Sequence, residues 1–409
     1  MNILFLNNYH YLRGGSERVF FDEMRLLKQH NHATAAFARK HAENIASEYE
    51  ASFPDDIETD KVCFSPKDLR TLREIFYSGE AKHGLNILLK QFHPDLAHAH
   101  NIYGRLTSSV LDLLSKYEIP IVMTLHDYKI LCPNYKMLCD DKICEACQSK
   151  YFYISIKKKC HKNSFFASTI NALESYLCHW LGKYSKNVKF FITPSMFMKN
   201  KFIQYGWTKD QIIYLPNFIR LSSFKARFNP GKYFLYLGRL SSEKGILTLI
   251  RAFMMLKDTR ARLLVVGRGP IRNALEKEAS KDPRICFKGY LSGDILKETT
   301  QNALAVTAPS EWYENAPISI LESFAYGKPV IGSRIGGIPE MIDDGINGFL
   351  FESGNAIDLK NKLELILGIS DKEIGEMGKA ARQKVELQYN AELHYERLMD
   401  VYRKASGKH

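Results

Sequence analysis

The 409-residue chain has no apolar run near the roughly 18 residues that a membrane-crossing helix needs. No signal peptide is expected at its start, where no basic region precedes the apolar residues. The run Ile3–Leu6 is short and meets Asn7 and Asn8 at once, so it reads as a buried strand, and a cytoplasmic protein is expected. The dinucleotide spacing G-x-G-x-x-G is missing, and no RNA- or DNA-binding motif appears. What is present, 45% hydrophobic and 25% charged residues, is the composition of an ordinary globular protein long enough for two domains. The net charge of +12 is local: residues 129–230 hold 17 Lys and Arg against 5 Asp and Glu, and the rest of the chain balances. That segment suits an anionic surface, either nucleic acid or a membrane leaflet.

Cysteine is scarce except in one place. Five of the eight fall within 29 residues, at Cys132, Cys139, Cys144, Cys147 and Cys160. The Cys144-x-x-Cys147 spacing, flanked by Cys132 and Cys160, fits a structural zinc site, and it equally fits redox-sensitive thiols. A reducing compartment disfavours disulfides.

Strand and helix patterns alternate along both halves, which predicts parallel sheets. The first domain is expected over 1–215, with a basic, Cys-rich insertion at 129–164. The second spans 216–385, after a linker at 216–232, and a helix at 386–409 is expected to pack back on the first domain. One long helix is read from Pro66 to Gln91. Another, 165–183, carries Phe165, Phe166, Leu173, Tyr176, Leu177, Trp180 and Leu181, and is read as core-facing, with a membrane-surface helix as the alternative. The strand Pro94–Asn101 ends in His98 and His100, and the strand Ile119–Leu125 ends at His126, where α/β sheets carry functional groups.

The stretch Ser310–Gly337 is the richest in chemistry. Glu314 and Glu322 bracket Asn315, Ala316 and Pro317, with Pro317 expected at the first helical position and the N–H groups at Ala316–Ile318 open to an anion. Arg239 and Lys244, five residues apart beside a helix start, suit a diphosphate. Carboxylates near such an anion need hydroxyl partners, which a sugar and a ribose supply. The combination argues for a nucleotide sugar.

Together, Gly238-Arg239-x4-Lys244-Gly245, Val266-Gly267-x-Gly269-Pro270, Glu314-x7-Glu322 and the Gly-Gly-Ile-Pro-Glu turn at 336–340 resemble retaining glycosyltransferases of family 4. The first-half motifs Gly14-Gly15-Ser16-Glu17 and His126-Asp127-Tyr128 extend the resemblance to nearly the whole chain. It implies the α/β GT-B fold, two Rossmann-like doubly wound domains facing a cleft. It also implies transfer of a hexose-type sugar from a nucleotide-sugar donor to a glycan or lipid-linked acceptor of envelope polysaccharide biosynthesis. Arg239 and Lys244 match the pair on the donor diphosphate, Glu322 the ribose-binding residue and Glu314 the residue at the donor sugar. Asn315, Ala316, Pro317 and Ile318 match the loop that meets the sugar and phosphates. Gly267, Gly269 and Tyr290 match the walls around the base, Gly15 a loop over the phosphates, and His126 a histidine near the reacting carbon. No Asp-x-Asp pair exists, so no metal and no cofactor beyond the donor substrate are expected. Peripheral attachment to an anionic membrane is an expected partnership, and nucleic acid is not. The competing readings are a degenerate scaffold or nucleic-acid binder, and an epimerase or phosphorylase of the same fold.

Overall fold

The computed structural model describes residues 1–58 and 69–407 and divides into two units, residues 1–139, 144–215 and 394–409, and residues 140–143 and 216–393. In chain order the first part comprises β1 (Asn2–Leu6), α1 (Gly15–Gln29), β2 (Ala33–Phe37), α2 (Leu69–Phe76), α3 (Gly79–Gln91), β3 (Leu96–Ala99), α4 (Ser109–Lys116) and β4 (Ile121–Thr124). Then come the two-residue strands β5 (Leu138–Cys139) and β6 (Lys142–Ile143), α5 (Tyr153–Lys157), α6 (Phe165–Trp180), α7 (Lys183–Asn187), β7 (Phe190–Thr193), α8 (Met196–Gln204) and β8 (Ile212–Tyr214). The six long strands form one parallel sheet in the order β2-β1-β3-β4-β7-β8, and β5–β6 is a separate hairpin. The inner strands β3 and β4 are buried on both faces, which is why they read as apolar runs rather than alternating ones.

The expected single helix over Pro66–Gln91 is two helices. Its first three residues lie outside those described. The break falls at Ser78, whose hydroxyl caps α3 by accepting from the Ala81 N–H and donates to Glu74 of α2. Buried Arg39 holds the corner by donating to the Ser78 hydroxyl at 2.9 Å, and its guanidinium lies 3.7 Å from Glu74. The residues read as irregular at 40–62 are described only to residue 58, and they contain a short turn of 3-10 helix at Glu50–Ser52.

The reading of α6 as core-facing is also corrected. Its buried residues are Ser168, Ile170, Ala172, Glu174, Ser175 and Cys178, while Phe165, Leu173, Leu177 and Trp180 are exposed, Trp180 to 75%. Small residues face inward because α6 lies close on α5 and because Glu174 reaches Lys129, 3.0 Å away, in a buried ion pair. The large side chains are left outside.

The second unit carries β9 (Tyr233–Leu237), α9 (Ile246–Met254), β10 (Leu263–Val266), α10 (Arg272–Ala279), β11 (Ile285–Gly289), α11 (Gly293–Gln301), β12 (Ala303–Ala308), α12 (Ile318–Ala325), β13 (Val330–Ser333), α13 (Ile338–Met341), β14 (Gly348–Phe351), α14 (Ala356–Gly368) and α15 (Asp371–Gln388). Its sheet is parallel in the order β11-β10-β9-β12-β13-β14. The last helix, α16 (Ala391–Ser406), packs Leu398, Met399, Val401 and Tyr402 with Ile3, Phe5 and Phe20 in the core of the first unit. No described helix is long and apolar enough to cross a membrane.

Candidate functional site

In an open parallel sheet, ligands gather where the strand order reverses, at the carboxyl ends of the strands. In the second unit that point lies between β9 and β12. The loops leaving these two strands carry most of the residues singled out by sequence.

After β9 the chain turns through Gly238–Gly245. Arg239 is exposed and Lys244 half-buried. Gly245 has φ 64°, and a Cβ there would stand 1.8 Å from the Pro309 carbonyl oxygen. Only glycine lets the two loops approach this closely. A backbone bond from Glu311 N–H to the Glu243 carbonyl (2.9 Å) joins them again. As a result Lys244 Nζ donates to the Glu314 carboxylate and lies 5.2 Å from the centre of the Trp312 ring. The Ser310 hydroxyl donates to the same carboxylate at 2.7 Å. Glu314 is buried, and a buried carboxylate is tolerable only with such partners. The loop after β13 closes against it: Gly337 N–H donates to the Glu314 carbonyl at 2.8 Å, and Gly336 (φ 60°) sits so close that a Cβ would be 2.2 Å from that oxygen.

Helix α12 begins at Ile318. Pro317 is its cap rather than its first helical residue, because its ψ of 117° is extended even though the ring fixes a φ compatible with either. The Pro317 side chain makes no capping hydrogen bond to the first turn. Glu322 is half-buried one turn into the helix, and Asn315, Ala316 and Ile318 are half-buried around its start. Asn217 was not singled out by sequence, yet its amide donates to the Ala316 carbonyl at 3.0 Å. Ser310, Trp312 and Asn217 carry no spacing signal; only the tertiary fold brings them here. On the other side of β9, Gly267 and Gly269 form the turn after β10, Gly267 N–H donates to the Gly289 carbonyl at 2.7 Å, and Arg268 lies over the exposed Tyr290 ring at 4.8 Å.

Gly15 and His126 belong to the first unit. Gly15 is the exposed first residue of α1. His126 follows β4, and its Nε2 meets His100 Nδ1 at 2.8 Å. Behind this pair is a buried network that the sequence did not reveal. His100 Nε2 stands 3.3 Å from Glu23 Oε2, His394 Nε2 lies 2.9 Å from Glu23 Oε1, and His98 meets Tyr402 (2.7 Å) and Thr124 (2.8 Å). Although burial opposes it, the neighbouring His98, with hydrogen bonds from His100 and His394, keeps Glu23 ionised well below the usual carboxylate range. A carboxylate only accepts, so the facing nitrogens of His100 and His394 carry protons. His100 Nδ1 and His126 Nε2 share a single hydrogen across their 2.8 Å contact. Burial, with the His100 ring beside it, lowers His126 to about 3, so it is neutral at pH 7. Burial lifts neighbouring Asp127 to about 6. A separate cavity of about 260 Å³ in this unit is lined by Lys129, Glu174, Cys178, His179, Tyr184 and Trp207.

Two parallel sheets flanked by helices, with the polar residues at strand ends, define the GT-B fold. A solved structure of a protein from Anabaena in complex with UDP and glucose superposes with a TM-score of 0.68 at 16% identity, covering 99% of this chain and all of that one. Residues 13–223 match the model of Glycosyltransferase Family 4, and residues 219–384 that of Glycosyl transferases group 1. The chain belongs to Glycosyltransferase Family 4. Among relatives, a sulfoquinovosyl transferase of Arabidopsis thaliana is 34% identical over 44% of this chain; the match spans about a third (36%) of that protein's length. A capsular polysaccharide biosynthesis glycosyltransferase of Staphylococcus aureus is 24% identical over 62% of this chain and 65% of its own length.

Proposed function

We propose that this protein is a retaining glycosyltransferase that moves a hexose-type sugar from a nucleotide diphosphate to a glycan or lipid-linked acceptor in envelope polysaccharide biosynthesis. The observation that carries this reading is Lys244 paired with buried Glu314 just before α12, with Arg239 exposed on the same turn as Lys244. Cleaving an anomeric bond to a diphosphate leaves negative charge on phosphate and positive charge on the ring. Arg239 and Lys244 meet the first, and fixed cations of this kind supply much of the barrier reduction. Glu314 accepts from sugar hydroxyls, Glu322 from the ribose, and the Gly267–Gly269 turn with Tyr290 flanks the base. No step needs a metal, so brief EDTA treatment leaves turnover unchanged; loss of activity restored by Mn²⁺ counts against this.

A thermal-shift screen of UDP-, GDP- and ADP-sugars tests the donor assignment, since a ligand of the folded state raises its stability. One class is expected to raise Tm, and Glu322→Ala to abolish the rise. A chain indifferent to all three sinks the reading. The acceptor side points to a lipid surface. Phe165, Leu173, Leu177 and Trp180 are exposed on α6, and the exposed Lys157, Lys158 and Lys159 precede it in sequence by a few residues. Flotation with anionic vesicles is expected for the native chain and not for Trp180→Glu; equal flotation of both rules out α6 as the docking face.

A further inference from the structure

The segment between Cys132 and Cys160 is not explained by sugar transfer. It is built almost without regular structure: a hairpin of two-residue strands and the five-residue α5. Of the eleven described non-glycine residues with positive φ, eight lie here or just beyond, at Tyr135, Met137, Asp140, Asp141, Lys150, Lys159, Lys162 and Asn163. Each holds a left-handed conformation that costs free energy. Its own apolar cluster is small, with Cys147 and Phe152 packed on Ala172, although Met137 and Leu138 are also buried. Small, loop-rich pieces of this sort are normally pinned by a disulfide or a metal, and none of the described cysteines is in a disulfide.

The loops nevertheless converge on their thiols. Asn134 accepts from the Cys132 thiol at 3.0 Å and donates its amide to the Cys160 carbonyl at 3.2 Å. Cys144 N–H donates to the Met137 carbonyl at 2.8 Å, which brings the Cys144-x-x-Cys147 turn against the Cys132 loop. Backbone N–H groups of Asn134 and Met137 reach the Cys132 sulfur, and that of Ser155 reaches Cys147. Amides aimed at sulfur favour the thiolate. Cys132, Cys144, Cys147 and Cys160 are near enough to sense one another's charge, and Lys158 Nζ lies 3.8 Å from Cys144 Sγ.

We propose that Cys132, Cys144, Cys147 and Cys160 are the four ligands of a structural zinc ion that pins this segment together. Four thiolates on loops match the tetrahedral preference of zinc and its affinity for sulfur. Lys158 beside Cys144 meets part of the net negative charge that four thiolates keep with Zn²⁺. Zinc binds the thiolate form, so binding displaces the thiol protons to solvent. Cys139, which hydrogen-bonds with Cys160, is a neighbour and not a ligand. Among the described residues the one trio of donor atoms within 4.8 Å of each other is Glu23, His98 and His100. Both His98 nitrogens are taken by Tyr402 and Thr124, and Glu23 by His394, so that trio is a hydrogen-bond network. The four sulfurs stand wider apart than it does, and the ion would draw their loops together.

Metal analysis of the full chain purified without chelator is expected to find one zinc per chain, released in step with thiol modification by a mercurial. Cobalt substitution should give the charge-transfer absorption of a tetrathiolate site. Cys144→Ser and Cys147→Ser should lose the metal, whereas Cys139→Ser and Cys286→Ser keep it. Zinc far below one per chain, iron–sulfur absorption, oxidised cysteine pairs on thiol titration in denaturant, or zinc retained in Cys147→Ser overturns the proposal. Where a variant is insoluble, the mercurial and cobalt measurements on the native chain still decide. Donor thermal shifts are read separately, so failure here leaves the transferase reading untouched.

Discussion

Lys244→Ala is expected to lower turnover by about 10²–10³-fold, the usual cost of removing one preorganised group from a developing oxyanion. The structure adds a second consequence. Lys244 is also the partner of Glu314, which is buried and otherwise held by Ser310. Without the lysine, an uncompensated carboxylate faces the site that should take a diphosphate, so donor affinity falls together with turnover. Adding Glu314→Gln to Lys244→Ala removes that repulsion. The double variant should recover donor binding, measured by thermal shift, and not turnover. Strictly additive losses would show that the two groups do not act as a pair. Arg239→Ala leaves no such orphan, and should reduce turnover with a smaller effect on donor affinity than Lys244→Ala.

Glu23→Ala is expected to cost about 3–5 kcal/mol of stability, as when one member of a buried charged network is removed. That is on the order of 10 °C in melting temperature for a unit of this size. Glu23 lies on α1, yet it orients His100 and His394 and, through His100, the His126 ring. Acid should reveal the network. His98 and His126 are lowered, chiefly by burial, so below pH 6.5 the unfolded chain binds protons that the folded one does not, and stability falls; for His126 the loss runs down to about pH 3. Asp127, raised to about 6 by burial, acts in the opposite sense: its penalty is fully present above pH 6 and is relieved as pH drops toward 3.8. Glu23 is lowered, so its contribution holds above pH 4.5 and is lost as pH falls through its folded value. Denaturant melts of the native chain and Glu23→Ala should therefore draw together below pH 4.5. A constant gap would mean that Glu23 is not ionised in the folded chain.

Alternation of apolar runs with amphipathic stretches sufficed to read both parallel sheets, because strands buried on two faces and helices buried on one leave different periods. The short β14 went unread, since four residues, Gly-Phe-Leu-Phe, carry too little period to separate a strand from a loop. The face of α6 was misread for a different reason. Periodicity shows that a helix has an apolar side, but which side is buried depends on what packs there, and here a buried Lys129–Glu174 pair and a close neighbour take the small residues inward.

The residues proposed for the donor site stood out in sequence because their chemistry is local: a cation pair on one turn, and two glutamates around one helix start. Short-range backbone geometry sets those spacings. The sequence by itself determined the sheet class and the identities of Arg239, Lys244, Glu314 and Glu322. Only the tertiary structure decided that Glu314 is buried against Lys244 and Ser310, that Asn217 braces Ala316 across 99 residues of chain, and that Glu23 and His394 stand behind His126. Those contacts join residues far apart in sequence, and their energies come from desolvation and hydrogen bonding, which exist only once the sheets have assembled.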